Sequence, residues 1–392
     1  MDKVRNPFTP GAGTRPPLLV GRAGQLEAMT VAVQRLTLGR FERSLMLVGL
    51  RGVGKTVLLN EFGRIAEGEG WIHSHLEATS DVHLAQAIAG MSRRILLELS
   101  IGERTRDRAR RALGRLASFI TVHVPVGDVG SLTIDFEPVP GTTDTGQLDS
   151  DLGALFVEIG ETARGAGIGV LLTLDEIQYL QQRELSALIV GLHRVSQLGL
   201  PVVVAGAGLP SLPGLAGEAR SYAERLFSYV EVGALGRDDA VTALESPVEE
   251  EGATWGPAAI DLIIELTQGY PYFLQEFGKQ AWNVADGPEI SRGDAHNAIA
   301  LARAELDQGF FRSRFDKTSD NERVYLRAMA ECGGPGPYRS AQVAAGMGKT
   351  VSQVAMLRDR MIKRGLCFSP RRGEIAFTVP MFDDFVRRVL EP

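Results

Sequence analysis

The sequence predicts an α/β fold, in which helices cover a parallel sheet. Two observations lead to this class. Short runs rich in apolar residues recur through the first 235 residues, as buried parallel strands require. Stretches with apolar residues at helical spacing separate these runs. The predicted strands are SLMLVGL at 44–50, WIHSHLEA at 71–78, GVLLTL at 169–174, PVVVAGAG at 201–208 and FSYVEVG at 227–233.

The composition is that of an ordinary globular protein. Of the 392 residues, 44% are hydrophobic and 23% are charged, and the net charge of −6 excludes no class of partner. Two cysteines, Cys332 and Cys367, cannot form a disulfide framework, so a cytoplasmic protein is expected. The first 17 residues lack the apolar core of a signal peptide. No apolar stretch approaches the roughly 20 residues that span a bilayer, so no membrane partner is expected.

The first strand leads into GLRGVGKT at residues 49–56, which we call the phosphate loop. It fits G-x-x-x-x-G-K-[ST] in full, with a helical pattern after it, so a chance match in a glycine-rich chain is disfavoured. Glycines let backbone N–H groups turn toward phosphates, and the helix N terminus adds positive potential. We predict an ATP site with Lys55 on the phosphates and Thr56 on Mg²⁺. The predicted nucleotide contacts are Gly49, Arg51, Gly52, Val53, Gly54, Lys55, Thr56 and Val57.

The strand at 169–174 ends in two carboxylates, Asp175 and Glu176. Ligands of open α/β sheets bind at the carboxyl ends of strands. We therefore predict that Asp175 holds Mg²⁺ and that Glu176 acts as the general base on the attacking water. A solvated acidic turn is the alternative, and a complete phosphate loop upstream disfavours it.

A second Gly-Lys-Thr string, GMGKT at 346–350, does not predict a second site. Val343 stands where the first glycine of the pattern would be, and no strand precedes the string. Two short helical patterns flank it, which is typical of a helix-turn-helix. We interpret it as a turn before a possible recognition helix.

The pattern divides the chain into three parts. Residues 1–235 form the α/β core, residues 236–316 are helical throughout and form a lid segment, and residues 317–392 form a C-terminal segment. Three helical patterns, a hairpin around Pro370–Gly373 and a last helix at 381–390 predict a winged helix in the C-terminal segment. Within the core, alternating residues at about 117–140 predict an inserted β-hairpin. Six arginines at 102–116 are interpreted as a solvated helix face with ion pairs.

Charge supports a nucleic-acid partner for the C-terminal segment. It holds 13 Lys or Arg against 8 Asp or Glu, whereas the rest of the chain holds 29 against 40. A basic helix beside a basic hairpin is typical of a DNA-binding surface, so double-stranded DNA is the predicted partner. Winged helices also bind proteins, and this alternative stays open. The predicted DNA contacts are Arg358, Arg360, Lys363, Arg371 and Arg372.

The chain resembles AAA+ ATPases of the archaeal-ATPase and origin-recognition-like group, close to the signal-transduction NTPases called STAND. The resemblance covers nearly the whole chain and implies a P-loop NTPase core of the AAA+/ASCE type, an all-α lid and a winged helix. It rests on NPFTPG at 6–11, PPLLVGR at 16–22, the phosphate loop, LDEIQ at 174–178, SYAERLF at 221–227 and TQGYPYFLQ at 267–275.

The resemblance implies roles for several further residues. Arg225 stands where relatives carry an arginine that senses the γ-phosphate, often that of a neighbouring subunit, so a homo-oligomer is possible. Tyr270 and Pro271 stand where the lid closes over the base, although a helix end and restart would also explain a Gly-Tyr-Pro string. The residues expected against adenine are Val20, Gly21 and Arg22.

Two departures from the family pattern imply slow turnover. Gly206, Ala207 and Gly208 stand at the end of the fourth strand, where most relatives carry Asn, Ser or Thr. The lid has Tyr-Pro where many carry an arginine near the phosphates. The first hypothesis is therefore an ATP-dependent switch that positions a winged helix on DNA. The second is a signalling scaffold in which the nucleotide is mainly structural and the winged helix binds protein.

Overall fold

The computed structural model describes residues 1–79, 83–102, 105–124, 145–334 and 336–390. Five parallel strands form one sheet in the order β2-β3-β4-β1-β5, which confirms the predicted parallel sheet. The strands are β1 (Ser44–Val48), β2 (Ile72–Glu77), β3 (Val170–Asp175), β4 (Val202–Gly208) and β5 (Phe227–Glu231).

Helices cover both faces of this sheet. Alternate strand residues face opposite sides, so Leu45 and Leu47 of β1 join one hydrophobic cluster and Met46 joins another. The helices of the core are α1 (Ala23–Thr37), α2 (Lys55–Gly68), α3 (Leu84–Leu99), α4 (Arg106–His123), α5 (Leu148–Ala166), α6 (Gln182–Gln197), α7 (Leu212–Ala219) and α8 (Ala223–Leu226).

The predicted inserted hairpin is wrong where it can be compared. Residues 117–123 are the last two turns of α4, and residues 125–144 lie outside the described part of the chain. Apolar residues of this stretch, Phe119 and Ile120 among them, are buried against the neighbouring helices. The arginines of α4 face solvent in part, and Arg108 and Arg115 pair with carboxylates of α5.

The lid segment consists mainly of helices. The prediction missed one short parallel pair, β6 (Thr254–Trp255) with β7 (Glu289–Ile290), because two-residue strands leave no pattern in a sequence. A π-helical segment, Leu306–Phe311, follows the fourth helix directly. The helices are α9 (Arg237–Glu250), α10 (Pro257–Thr267), α11 (Pro271–Val284), α12 (Arg292–Glu305) and the single turn α13 (Arg312–Phe315).

The C-terminal segment folds into helices and a small antiparallel sheet in the order β8-β10-β9. The predicted helices and hairpin are present, and β8 was not predicted. The helices are α14 (Asp320–Glu331), α15 (Ser340–Gly346), α16 (Val351–Lys363) and α17 (Phe382–Val389), and the strands are β8 (Tyr338–Arg339), β9 (Cys367–Phe368) and β10 (Glu374–Phe377).

One hydrophobic cluster connects the three parts of the chain. It runs from one face of the sheet through the lid segment and into the C-terminal segment. At the second boundary Phe311 packs on Phe382 and Phe385, with ring centroids 5.6 and 5.4 Å apart. Division of the chain into three domains stays a prediction.

The first eight residues lie on the lid segment rather than on the sheet. The side-chain amide of Asn6 donates to the carbonyl oxygen of Lys279, 2.9 Å away, and the Trp282 indole donates to the carbonyl oxygen of Asp2, 2.8 Å away. Phe8 is 3% exposed and meets Trp255 edge-on. Residues 9–22 then lead from the lid segment to α1. In the described part of the chain, no helix combines the length and apolar character that crossing a membrane would need.

Candidate functional site

A cavity of about 410 Å³ opens at the carboxyl ends of β1 and β3. Its walls come from residues 9–22, the phosphate loop, the end of β3, the start of α11 and the turn after the π-helical segment. Of the predicted residues, Gly21, Gly49, Tyr270 and Arg225 do not line it. Those that do are Val20, Arg22, Arg51, Gly52, Val53, Gly54, Lys55, Thr56, Val57, Asp175, Glu176 and Pro271.

The phosphate loop carries glycines where its backbone requires them. Gly52 and Gly54 have φ angles of +83° and +94°, a region that residues with a side chain rarely adopt. A Cβ atom at Gly49 would lie 2.1 Å from the carbonyl oxygen of Val232. Gly49 therefore permits close packing beside β5 and shapes the loop without lining the cavity.

Lys55 is a buried cation, with 7% of its surface exposed. Its Nζ donates to the carbonyl oxygens of Gly49 and Leu50, at 2.9 and 2.7 Å. Burial lowers the pKa of Lys55 to about 8, although the carboxylates of Glu176 and Asp175 oppose this shift. The ammonium group is thus held by neutral carbonyls and is available to an anion in the cavity.

Thr56 and Asp175 meet directly at the base of the cavity. The Thr56 hydroxyl donates to Oδ2 of Asp175 over 2.5 Å, and the backbone N–H of Glu176 donates to Oδ1 over 2.8 Å. Asp175 is only 4% exposed. The first turn of α2 and the end of β3 therefore bring a hydroxyl and a carboxylate together from positions that are 119 residues apart.

Glu176 follows in a left-handed conformation, with φ at +53°. Such a backbone is uncommon for a residue with a side chain and is found disproportionately at functional sites. Its carboxylate accepts a hydrogen bond from the Gln178 amide and lies 3.7 Å from the guanidinium of Arg51. Gln178 in turn accepts from the backbone N–H of Leu209, 3.1 Å away, just after β4. Gln178 thus connects the Glu176 carboxylate to the end of β4, where Gly206, Ala207 and Gly208 carry no polar side chain.

Arg22 lines the cavity and also joins the phosphate loop to the residues that follow β5. Its guanidinium donates to the carbonyl oxygens of Val53 and Gly233, at 3.2 and 2.6 Å. Burial lowers the pKa of Arg22, and the charge of Asp239 opposes that effect. Gly21 lies outside the cavity because it packs on Asp239 and Leu235.

The prediction for Tyr270 needs a correction. This residue is 3% exposed, and its hydroxyl donates to the backbone carbonyl of Arg51 instead of facing the cavity. The residue that faces the cavity is Tyr272, whose backbone N–H donates to the carbonyl oxygen of Gly52 over 3.2 Å. Two tyrosines therefore fix the lid segment on the phosphate loop, one through its side chain and one through its backbone.

Several lining residues were missed by the sequence analysis. Phe310 stacks on Tyr272, with ring centroids 4.7 Å apart, and Arg314 follows one turn later. Gly13 approaches the phosphate loop so closely that a Cβ atom there would lie 2.9 Å from Thr56. Tyr272 lies inside the TQGYPYFLQ string, which the sequence analysis had already linked to the site. Phe310 and Arg314 lie in a helical stretch with no motif that would have indicated a site.

The C-terminal segment touches the phosphate loop. The backbone N–H of Arg51 donates to the carbonyl oxygen of Thr378 over 3.3 Å. Gly365 lies so close that a Cβ atom would be 2.7 Å from the Arg51 guanidinium and 2.9 Å from the Tyr179 hydroxyl. The segment after β10 and the turn after α16 therefore meet the loop at one residue, Arg51.

Arg225 and Lys349 both lie outside the cavity. Arg225 is exposed at the end of α8. Lys349 is exposed in the turn between α15 and α16, and Thr350 caps α16 with Gln353. The second Gly-Lys-Thr string is therefore a turn between two helices, as predicted.

The basic residues of the C-terminal segment separate into two groups. Arg360, Lys363, Arg371 and Arg372 are exposed. The guanidinium of Arg358 instead donates to the Ser369 hydroxyl, 2.8 Å away, and to the Glu374 carbonyl oxygen, 3.3 Å away. Arg358 thus joins α16 to the hairpin, and its contact with DNA stays a prediction.

Two family models match parts of the chain. Residues 18–205 match the AAA ATPase domain, and residues 308–386 match a family described as a domain of unknown function. The comparison with curated proteins found no match.

Solved structures match over most of the chain at low identity. The Walker-type ATPase of Pyrococcus abyssi is 16% identical with a TM-score of 0.54, over 94% of this chain and 96% of that chain. The RuvB Holliday junction branch migration motor of Thermotoga maritima is 13% identical with a TM-score of 0.45, over 90% and 91%. The ORC1 protein of Aeropyrum pernix, solved with DNA, is 17% identical with a TM-score of 0.46, over 95% and 94%. The first likeness and the sheet together confirm the P-loop NTPase fold.

Proposed function

Because residues 18–205 form an AAA+ ATPase-like nucleotide-binding domain, we propose that the protein is a slow ATPase whose nucleotide state positions its C-terminal segment on double-stranded DNA. The observation that carries the proposal is the direct contact of Thr56 with Asp175 beside the buried ammonium group of Lys55.

Nucleotide binding needs donors for phosphates and hard oxygen ligands for Mg²⁺, and the cavity has both. Lys55 exchanges its bonds to loop carbonyls for phosphate oxygens, while backbone N–H groups of the loop turn toward the same anion. The hydroxyl of Thr56 and the carboxylate of Asp175 are ligands of the kind that Mg²⁺ prefers. When bound there, Mg²⁺ neutralises charge on the β- and γ-phosphates.

Hydrolysis needs a base, which is Glu176 in this proposal. Its carboxylate takes the proton as a water oxygen bonds to the γ-phosphorus and the bond to the ADP oxygen breaks. In the structure this carboxylate is held by Gln178 and lies beside Arg51, so it must first change partners. Gly206, Ala207 and Gly208 offer no polar side chain to hold the water. Both features support slow turnover.

An exposed Arg225 supports a role in a neighbouring copy's site. The residue lies outside the cavity of its own chain and projects from the end of α8. In the proposed oligomer it would reach the γ-phosphate that an adjacent subunit holds.

DNA contact rests on four exposed cations of the C-terminal segment, Arg360, Lys363, Arg371 and Arg372. Two of them lie on α16 and two at the tip of the hairpin. Positively charged groups spread in this way suit contacts to phosphates rather than readout of bases. The contact of Thr378 and Gly365 with Arg51 supports the coupling of this segment to the nucleotide.

A protein partner is the second candidate, and the apolar side chains of α16 favour it. Met356 is 77% exposed and Val351 is 45% exposed on this helix. In that case α16 would bind an apolar surface of another protein, and the nucleotide would mainly stabilise the fold.

The nucleotide part of the proposal is tested by calorimetric ATP titration and a turnover assay. We expect Lys55→Ala to abolish tight ATP binding and Lys349→Ala, which removes the lysine of the second string, to leave it unchanged. Glu176→Gln should bind Mg·ATP normally but lose turnover by a factor of about 10² to 10⁴. Equal loss of ATP binding in the two lysine variants would contradict the assignment of the site, and normal turnover by Glu176→Gln would contradict the role of the base.

A further inference from the structure

The walls of the cavity differ in chemistry from one part to the next. The phosphate loop, with Asp175 and Glu176, forms a charged part. Residues 9–14, which we call the strap, form a second part that is small and carries no charged side chain. A nucleotide likewise consists of a flat base, a neutral sugar and charged phosphates. The remaining part is apolar and includes Leu19, Val20, Leu235, Ala243, Pro271 and Leu274.

The strap runs from the apolar part of the cavity to the phosphate loop. At its first residue, the backbone N–H of Thr9 donates to Oε1 of Gln275, 3.1 Å away, and Gln275 is the next residue of α11 after the apolar part. Near its other end, the side-chain amide of Asn60 donates to the carbonyl oxygen of Gly13 over 3.5 Å. Gly13 also lies against Thr56, as its close approach shows. The strap therefore connects the lid segment to the helix that carries Thr56.

The contact with Thr9 fixes the orientation of the Gln275 amide. A backbone N–H needs an acceptor, so the amide oxygen faces Thr9 and the amide nitrogen lies on the other side of the group. Gln275 is partly buried and lines the cavity. Among the described residues, its amide nitrogen has no hydrogen-bond partner. Two N–H donors are therefore free where the apolar part of the cavity meets the strap.

We propose that the Gln275 amide donates to a ribose hydroxyl of the bound nucleotide, an inference that rests on the proposed function. The sugar joins the base to the phosphates, so it lies beside the strap when the base occupies the apolar part and the phosphates occupy the loop. A ribose hydroxyl accepts hydrogen bonds, whereas the amino group of adenine is itself a donor. Gln275 therefore favours nucleotides that carry ribose hydroxyls over those that lack them.

Thr9 is a positioning residue in this proposal, and the residues before it hold it in place. The Phe8 ring packs on Gly278 of α11 so closely that a Cβ atom there would lie 2.7 Å from the ring. The side chain of Asn6 bonds to the same helix, at the carbonyl oxygen of Lys279. The donor of Thr9 is thus fixed beside Gln275 before a nucleotide binds. Such pre-organisation lowers the entropic cost of the sugar contact.

The experiment compares the affinities of the full chain for ATP and for dideoxy-ATP, whose sugar lacks both hydroxyls, by calorimetry with Mg²⁺. We expect the unmodified chain to bind ATP more tightly, on the order of 2- to 10-fold, as one neutral hydrogen bond contributes. Gln275→Ala should weaken ATP binding by that factor and change the binding of dideoxy-ATP by less than about twofold. Gln275→Met, which keeps the length of the side chain but has no N–H donor, should behave in the same way. Gln182→Ala removes an exposed glutamine at the start of α6, outside the cavity, and should resemble the unmodified chain.

Different outcomes separate this inference from the proposed function. If the unmodified chain binds ATP and dideoxy-ATP equally well, or if Gln275→Ala keeps the full preference for ATP, the inference fails and the proposed function stands. Equal weakening of both nucleotides by Gln275→Ala, with an unchanged thermal melt, would mean that the amide contacts the base or the phosphates, and it also overturns the assignment to the sugar. A lower melting temperature with an unchanged preference would show that Gln275 only supports the fold. If the unmodified chain binds neither nucleotide, the proposed function itself fails, and this inference fails with it.

Discussion

Lys55 brings a positive charge into a buried position, and this has a consequence for pH dependence. Burial lowers its pKa to about 8, whereas a bound phosphate favours the charged form and must raise the pKa again. By linkage, ATP binding then takes up a proton whenever the pH exceeds about 8. Below that value Lys55 is charged in both states and contributes no pH dependence.

We therefore predict that ATP affinity falls as the pH rises through about 8, approaching tenfold per pH unit. The measurement is the Kd for Mg·ATP at several pH values from about 6.5 to about 9.5. Lys55→Arg is the control, because a guanidinium stays charged over that range and should give a flat profile. A falling profile in the arginine variant would assign the titration to another group.

Residues close together in sequence were the easiest to predict. Lys55 and Thr56 belong to one eight-residue pattern, and Asp175 is marked by the end of a buried strand. Tyr272 and Arg314 line the same cavity, although they lie more than 200 residues after the phosphate loop in the sequence. Their presence there depends on how the lid segment packs, which no local pattern encodes. The prediction for Tyr270 failed for the same reason. Its side chain faces the phosphate loop, whereas Tyr272, two positions later, lines the cavity.

At the scale of elements, α16 and the hairpin after it are joined by Arg358. Its bonds to Ser369 and to the Glu374 carbonyl fix the angle between the two elements. Arg360 lies two positions later and points to solvent, because residues two apart on a helix face different directions. We therefore expect Arg358 to stabilise the fold and Arg360, on the same helix, to be free to contact a partner.

We predict that Arg358→Ala lowers the free energy of unfolding by about 1 to 2 kcal/mol, because it removes half-buried hydrogen bonds. Arg360→Ala should leave stability within about 0.5 kcal/mol and weaken DNA binding instead. Urea denaturation and a fluorescence-anisotropy titration of the full chain measure the two effects. Reversed effects in the two variants would mean that Arg358 contacts DNA after all.

Elements with a strong periodic pattern were predicted well, and α4 shows why others were not. The strands β1, β3 and β4 are buried along their whole length and leave continuous apolar runs. The last turns of α4 contain β-branched and aromatic residues in partial alternation, which favours a strand locally. Burial of Phe119 and Ile120 against other helices overrides this preference.

For the whole molecule, the uneven distribution of charge sets how DNA binding should respond to ATP. The C-terminal segment has an excess of basic residues, while the rest of the chain has 40 acidic against 29 basic residues. An acidic core opposes the approach of a polyanion. The segment also contacts the phosphate loop at Arg51, so we expect a nucleotide in the cavity to affect that contact.

We predict modest, salt-sensitive binding of duplex DNA by the full chain, stronger with ATP than without nucleotide. Arg371→Ala combined with Arg372→Ala should weaken it and reduce the slope of log K against log salt by about one unit per lost contact. Anisotropy titrations at several salt concentrations, with Lys55→Ala as the control for the ATP effect, measure both quantities. Absence of DNA binding even at low salt would favour the protein-partner alternative.

The packing of the first eight residues on α11 bears on how the chain is made. Asn6 and Asp2 find their partners at residues 279–283, so these contacts close a loop of almost 280 residues. A ribosome synthesises these eight residues before residues 279–283, so their docking surface emerges only after the sheet and most of the lid segment have been made. Until then Phe8 has no place to bury its ring. Docking of this segment is therefore expected among the last steps of folding, after the nucleotide-binding sheet has already formed.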